Sequence, residues 1–168
     1  MNDKSQPADN RTSVDRHSER ELVITRTFDA PAQVVFDAWT QPELLMQWWT
    51  PKSFGVVFVS CETDVRVGGG YRFVFSHPSS DKPMAFFGRY IEVAPPSRLV
   101  WSNDEDKDSG AVTTVTFDER GGRTTVVMRD HYPSKEALDG AIASGSTSGF
   151  SESFEQLDEL MVTQAAVQ

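Results

Sequence analysis

Cysteine is nearly absent: there is one, Cys61, in 168 residues. A single thiol excludes any intrachain disulfide and fits a reducing, cytoplasmic setting. Positive charge is also scarce. The net charge is -9, and no basic stripe interrupts it, which excludes the phosphate-attracting surface of a nucleic-acid binder. No apolar run approaches the roughly 20 residues of a membrane span, and the amino terminus has no apolar signal core. The three histidines, His17, His77 and His131, have no metal-ligand spacing, so no metal and no cofactor is expected.

Motifs that could carry chemistry are missing pieces. Gly68-Gly69-Gly70 lacks the Lys-Ser/Thr and the helix that a phosphate loop requires, and reads as a turn needing positive φ. Asp104, Asp106 and Asp108 resemble the start of a calcium loop. The glycine comes one place late, and Val115 stands where the closing Glu belongs; the segment reads as a solvated hairpin tip. Ser146, Ser148 and Ser151 have no nucleophile-elbow context. Asn10-Arg11-Thr12 is a glycosylation-type triplet without a secretion route. No catalytic constellation emerges.

What is present is one ordinary domain with 38% hydrophobic residues. Residues 1–20 are polar, without periodicity, and read as a flexible tail. The domain is expected over 21–163, with a short tail at 164–168. Leu22–Phe28 reads as a strand. Asp29-Ala30-Pro31 then starts a helix, with Asp29 as its cap and Val35, Phe36 and Trp39 as its buried stripe. Gln41-Pro42-Glu43 opens a second short helix, with Glu43 placed for a capping box. Six strands follow, near Phe54–Cys61, Tyr71–Phe75, Ala85–Val93, Arg98–Asn103, Ala111–Phe117 and Thr124–His131, joined by short loops that favour an antiparallel meander.

The chain ends in a helical stretch from Ser134 to Met161, as one helix or two collinear ones. Leu138, Ile142, Phe150, Phe154, Leu157 and Leu160 recur at spacings that place them on one face. Ser151, Glu152, Glu155, Gln156, Asp158 and Glu159 fall mostly on the other. The middle, Ala143 to Gly149, is small and polar, so the helix kinks there or something approaches its backbone closely. A sheet with one apolar face needs a cover. The expected fold is α+β: a curved antiparallel sheet of six to seven strands wrapped on the long C-terminal helix, the two short helices plugging one end. A cavity is expected between sheet and helix.

Thr27-Phe28-Asp29-Ala30-Pro31, Val35 to Glu43, and Trp48-Trp49-Thr50-Pro51 resemble the opening of the START-like (SRPBCC) superfamily. The similarity is to the branch named after the activator of heat-shock-protein-90 ATPase. Asp64 to Gly69, Gly88 to Val100, Pro133 to Ala137 and Gly149 to Leu160 continue it, in order, from about Leu22 to Met161. The resemblance implies the helix-grip fold, START-like and birch-pollen-allergen-like. Its name implies a chaperone partner and a stress-response setting; its relatives also include lipid carriers and cyclases.

The expected function is binding of a small hydrophobic or aromatic metabolite between sheet and terminal helix, without catalysis. The residues expected to contact it are Trp48, Trp49, Tyr71, Phe73, Phe75, Phe87, Arg89, Tyr90, Trp101, Met128, His131, Phe150 and Phe154. Aromatic side chains supply contact area, and Arg89 or His131 would orient a polar group. Asp130 shares the alternation of Val126 and Met128, which leaves two readings open: a carboxylate at the cavity wall, against an otherwise apolar pattern, or one that pairs with an arginine or sits at the rim in water. Two alternatives stay open: a co-chaperone-like module acting on a heat-shock-protein-90-type ATPase, and a cyclase- or hydrolase-type enzyme using the same cavity. A monomer or weak homodimer is expected.

Overall fold

The structure is a computed structural model that describes residues 12–104, 110–143 and 149–167. Eight strands form one antiparallel sheet: β1 Ser13–Arg16, β2 Glu21–Phe28, β3 Val57–Thr63, β4 Gly70–Ser76, β5 Met84–Ala94, β6 Arg98–Ser102, β7 Val112–Arg120 and β8 Arg123–His131. Their order is β1-β2-β8-β7-β6-β5-β4-β3. Strands β3 to β8 are a meander, and β2 closes onto β8 with Leu22 opposite Asp130 and Phe28 opposite Thr124.

The strand count exceeds the expected six to seven because of β1. Residues 13–16, expected in the polar tail, pair with β2 from Ser13–Thr25 to Arg16–Leu22. All four are exposed, so this edge strand buries no apolar face, is held mainly by backbone hydrogen bonds to β2, and carries no apolar alternation to mark it. Arg16 Nη1 also reaches Asp139 Oδ1 at 2.7 Å.

Helix α1 (Ala32–Thr40) and α2 (Pro42–Trp48) follow β2, and a 3-10 turn spans Lys52–Phe54. Asp29 does not cap α1; its Oδ1 accepts from Arg123 Nε at 2.6 Å. Pro31 occupies the cap position, and Glu119 Oε1 from β7 accepts the Ala32 N–H at 2.9 Å. A carboxylate at that end suits the helix dipole. Glu43 lies in the first turn of α2, but no side-chain capping bond forms there.

The C-terminal stretch is two helices, α3 (Lys135–Ala143) and α4 (Phe150–Val167). Ser134 caps α3, accepting the Ala137 N–H at 3.1 Å. Of the small-residue linker, 144–148 lie outside the described residues. Gly149 shows the expected close approach: a Cβ there would sit 2.7 Å from Pro51 Cγ and 2.9 Å from Phe54 Cζ. Helix α4 continues beyond Met161, where its apolar periodicity ends.

Period-two burial sets the inner face of the sheet. Tyr71, Phe73 and Phe75 point inward on β4, Val115 and Phe117 on β7, and Val126 and Met128 on β8. Phe154, Leu157, Leu160 and Met161 of α4 close over this face with Val35, Phe36 and Trp39 of α1. Each large side chain buried this way contributes about 2–3 kcal/mol. Arg26, inward on β2, is buried with them and paired to Asp158 of α4 at 3.3 Å. The Gly68 turn before β4 takes φ 86, the conformation expected of that run. No helix among the described residues is long and apolar enough to cross a membrane.

Candidate functional site

Helices α3 and α4 do not fill the space over the inner face of β4, β5, β7 and β8. A cavity of about 800 Å³ remains, within the size range of small-molecule sites. Trp39 of α1, Trp48 and Trp49 at the end of α2, Phe75 of β4, Phe86 of β5, and Phe150 and Phe154 of α4 form its aromatic wall. Pro51, Phe54 and Val56 border it from the loop before β3. A smaller space of about 50 Å³ adjoins it, lined by Tyr71, Phe73, Tyr90 and Trp101, and shares Trp39, Trp49 and Phe86 with it.

Trp39 is the hub. Its ring centroid lies 4.8 Å from Trp48, 5.8 Å from Trp49 and 5.9 Å from Phe154, in edge-on contacts. Such contacts favour one ring arrangement over sliding. Trp48 Nε1 donates to the Ala38 carbonyl at 2.8 Å. The Trp39 indole N–H, on a residue only 2% exposed, has no hydrogen-bond partner among the described residues.

Helix α4 fastens the loop to this wall. Ser153 Oγ donates to Trp49 O at 2.9 Å. Gln156 donates to Trp48 O and Thr50 O and accepts from Lys52 N–H. Glu152 accepts from both the backbone and the hydroxyl of Ser53, which lowers its carboxyl pKa. Gln156 is buried, not on the solvent face its sequence position suggests.

A polar chain crosses the sheet along one side of the cavity, with Asn103, Thr113 and Asp130 in its lining. Asp130 and Thr113 are register partners on β8 and β7, and Thr113 Oγ1 donates to Asp130 Oδ1 at 2.6 Å. Asn103 Nδ2 donates to Thr113 Oγ1 at 3.1 Å. Tyr71 Oη lies 3.2 Å from Asn103 Oδ1 and donates to Ser102 O at 2.8 Å. Of the two readings of Asp130 the cavity wall holds: it is 7% exposed, lines the cavity and has no arginine partner among the described residues. Burial pushes its carboxyl from 3.8 up to about 6, opposed by the Thr113 hydrogen bond. Tyr132 lines the same cavity, and burial followed by the nearby Asp130 raises its phenol pKa. Burial likewise raises Tyr90, and takes the Cys61 thiol to about 11.

Of the residues expected at a ligand, Trp48, Trp49, Phe75, Met128, Phe150 and Phe154 line the large cavity. Tyr71, Phe73, Tyr90 and Trp101 line the smaller one. Phe87, Arg89 and His131 line neither. Phe87 and Arg89 alternate with the inward Phe86, Gly88 and Tyr90, and Arg89 Nε lies 3.4 Å from Asp104 Oδ2. His131 follows inward Asp130 and is exposed at the end of β8. Trp39, Phe86, Asn103, Thr113 and Tyr132 were not among the expected contacts. Strand parity with Tyr90 would have found Phe86.

No group of three or more metal-ligating side chains occurs among the described residues.

The chain belongs to the family described as activator of Hsp90 ATPase homolog 1-like protein, which it matches over residues 29–162. No curated protein matches the chain. A crystal structure from Rhodobacter sphaeroides is 26% identical with a TM-score of 0.83, covering 91% of this chain and 99% of that one. A crystal structure from Mycobacterium smegmatis is 26% identical with a TM-score of 0.75, covering 89% and 96%. The solution structure of an AHSA1-like protein from Aeromonas hydrophila, 20% identical with a TM-score of 0.65 over 82% and 92%, shares the fold.

Proposed function

We propose that this member of the family binds a small apolar or aromatic molecule in the cavity between the sheet and α4. The observation that carries this is the cavity itself: about 800 Å³ walled by Trp39, Trp48, Trp49, Phe75, Phe86, Phe150 and Phe154. The space is partly open to solvent, so water reaches its apolar wall. A ligand of two to four fused rings would take that wall out of water. The polar edge formed by Asn103, Thr113, Asp130 and Tyr132 gives that ligand an orientation. The single cysteine supports a reducing, cytoplasmic setting.

The test is an amide NMR titration against a panel of polycyclic aromatics, sterols and fatty acids, followed in parallel by tryptophan emission. Saturable shifts at Trp39, Trp48 and Phe150 to Phe154 are expected. A panel that leaves these signals unmoved overturns ligand binding. The family description favours a second reading, a partner of a heat-shock-protein-90-type ATPase. Unchanged ATP turnover of such a chaperone on adding this protein would remove it.

A further inference from the structure

The charge on the described part of the cavity wall is of one sign. Among the described residues that line it there is no Lys, Arg or His, while Asp130 and Glu136 both carry carboxyl groups. Asp130 projects from the inward row of β8, after Thr124, Val126 and Met128. Oδ1 accepts from Thr113, and the other carboxylate oxygen has no hydrogen-bond partner among the described residues. Two arginines of the neighbouring strand positions are committed elsewhere, and His131 faces outward, exposed at the end of β8. Arg129, next in the chain, faces the opposite side of the sheet and reaches Glu21 at 3.7 Å. Arg26 is held by Asp158.

A buried carboxylate without a counter-charge is costly, and is stabilised by a cation or a strong donor brought to it. Burial raises the Asp130 carboxyl to about 6, and a cation brought beside it favours the ionised form. The same cavity is lined by rings whose faces attract cations: Trp48, Trp49, Phe75, Phe150 and Phe154. A fatty acid or other carboxylate ligand would meet like charge on Asp130 and Glu136. An ammonium group would meet both a carboxylate and ring faces.

Resting on the ligand-binding reading above, we infer that the cavity selects a protonated amine carried on an aromatic body, with the ammonium group on Asp130 and the rings against the tryptophan and phenylalanine wall. The net charge of -9 draws such a ligand in and disfavours anionic competitors. The unpartnered Trp39 indole N–H offers one donor to an acceptor on the ligand body.

Three probes on one body separate the terms: naphthylethylamine, naphthylethanol and naphthylacetate, each titrated by calorimetry into the full chain. The amine should bind about tenfold more tightly than the alcohol, and the carboxylate more weakly than either. In Asp130→Asn, which keeps the shape and removes the charge, the amine and the alcohol should converge to within about twofold. Glu62→Gln, the same charge change on exposed β3, should leave the tenfold ratio intact. An alcohol that binds as tightly as the amine overturns the inference and leaves ligand binding standing. So does an amine preference that survives Asp130→Asn, or one that Glu62→Gln removes equally. Silence from all three probes, with no shift from the wider panel, overturns both.

Discussion

Gln156 Oε1 accepts the backbone N–H of Lys52 at 2.9 Å, across more than one hundred residues of chain. The same side chain donates to Trp48 O at 3.0 Å and Thr50 O at 2.9 Å. One amide therefore satisfies three backbone groups where α2 runs into the cavity-lining loop. With Gln156 only 8% exposed, water does not readily replace it. Gln156→Ala is expected to cost about 2–4 kcal/mol, since each stranded buried group costs about 1–3. Urea denaturation reads the loss. Hydrogen exchange should quicken at Lys52 while the β7–β8 ladder stays protected. A loss under about 0.5 kcal/mol would show that the loop holds itself.

Gly149 tests the same junction from the helix side. A methyl group there would press on Pro51 Cγ and Phe54 Cζ. The Phe54 ring is partly exposed and can swing; the Pro51 ring has less freedom. Gly149→Ala is expected to destabilise by about 1–2 kcal/mol, the overpacking cost exceeding any gain in helix propensity. Thermal unfolding checks the sign. An unchanged or raised midpoint would mean that the loop moves away freely.

Asp130 gives a pH signature. Its folded-state carboxyl is raised from 3.8 to about 6 by burial, so the folded chain binds the proton more tightly than the unfolded one. The contribution to stability is therefore present below about 3.8 and is lost as pH rises through about 6. The difference corresponds to about 3 kcal/mol at neutral pH. Asn keeps an acceptor for Thr113 Oγ1 and has no charge to desolvate. Asp130→Asn should thus be more stable than the parent at pH 7.5, by about 1–3 kcal/mol, with the gap closing towards pH 4. Urea midpoints at several pH values measure it. A variant less stable than the parent at pH 7.5 would mean that the folded chain supplies Asp130 with a counter-charge.

The strands and helices were legible where burial imposes a period. Tyr71, Phe73 and Phe75 alternate, and Phe154, Leu157 and Met161 recur at helical spacing, because one face of each element meets the core. β1 was not legible: Ser13 to Arg16 bury nothing, and only the neighbouring backbone of β2 makes them a strand. Asp29 looked like a cap, but Arg123 claims it and Glu119 serves the helix from a strand 87 residues away. No local spacing encodes that exchange. Gln156 looked solvent-facing because its partners are backbone groups, which have no sequence signature. At the site, the aromatic wall was visible as composition. Its polar edge depends on the β7–β8 register, which sets Thr113 opposite Asp130. Phe87 stood in for Phe86 although both adjoin each other in sequence: the parity of Tyr90, four residues on, already separates them and places Phe86 inward.

That pair offers the sharpest test of where a ligand sits. Phe86 and Phe87 are adjacent on β5, chemically identical and comparably exposed, at 42% and 38%. Phe86 stands opposite Phe73 in register and contacts the Phe75 ring at 5.4 Å, on the cavity side. Phe87 stands opposite Arg72, on the outer side. Truncating either removes the same atoms from a half-exposed position, so the two stability losses should be alike, about 1 kcal/mol each. Their effects on binding should not be alike. An aromatic ligand in the cavity loses one ring contact in Phe86→Ala, worth about 1 kcal/mol or some fivefold in affinity. Phe87→Ala should bind as the parent does. Equal losses would point to a general loosening of β5. A loss confined to Phe87→Ala would move the ligand to the outer face of the sheet, beside Arg72.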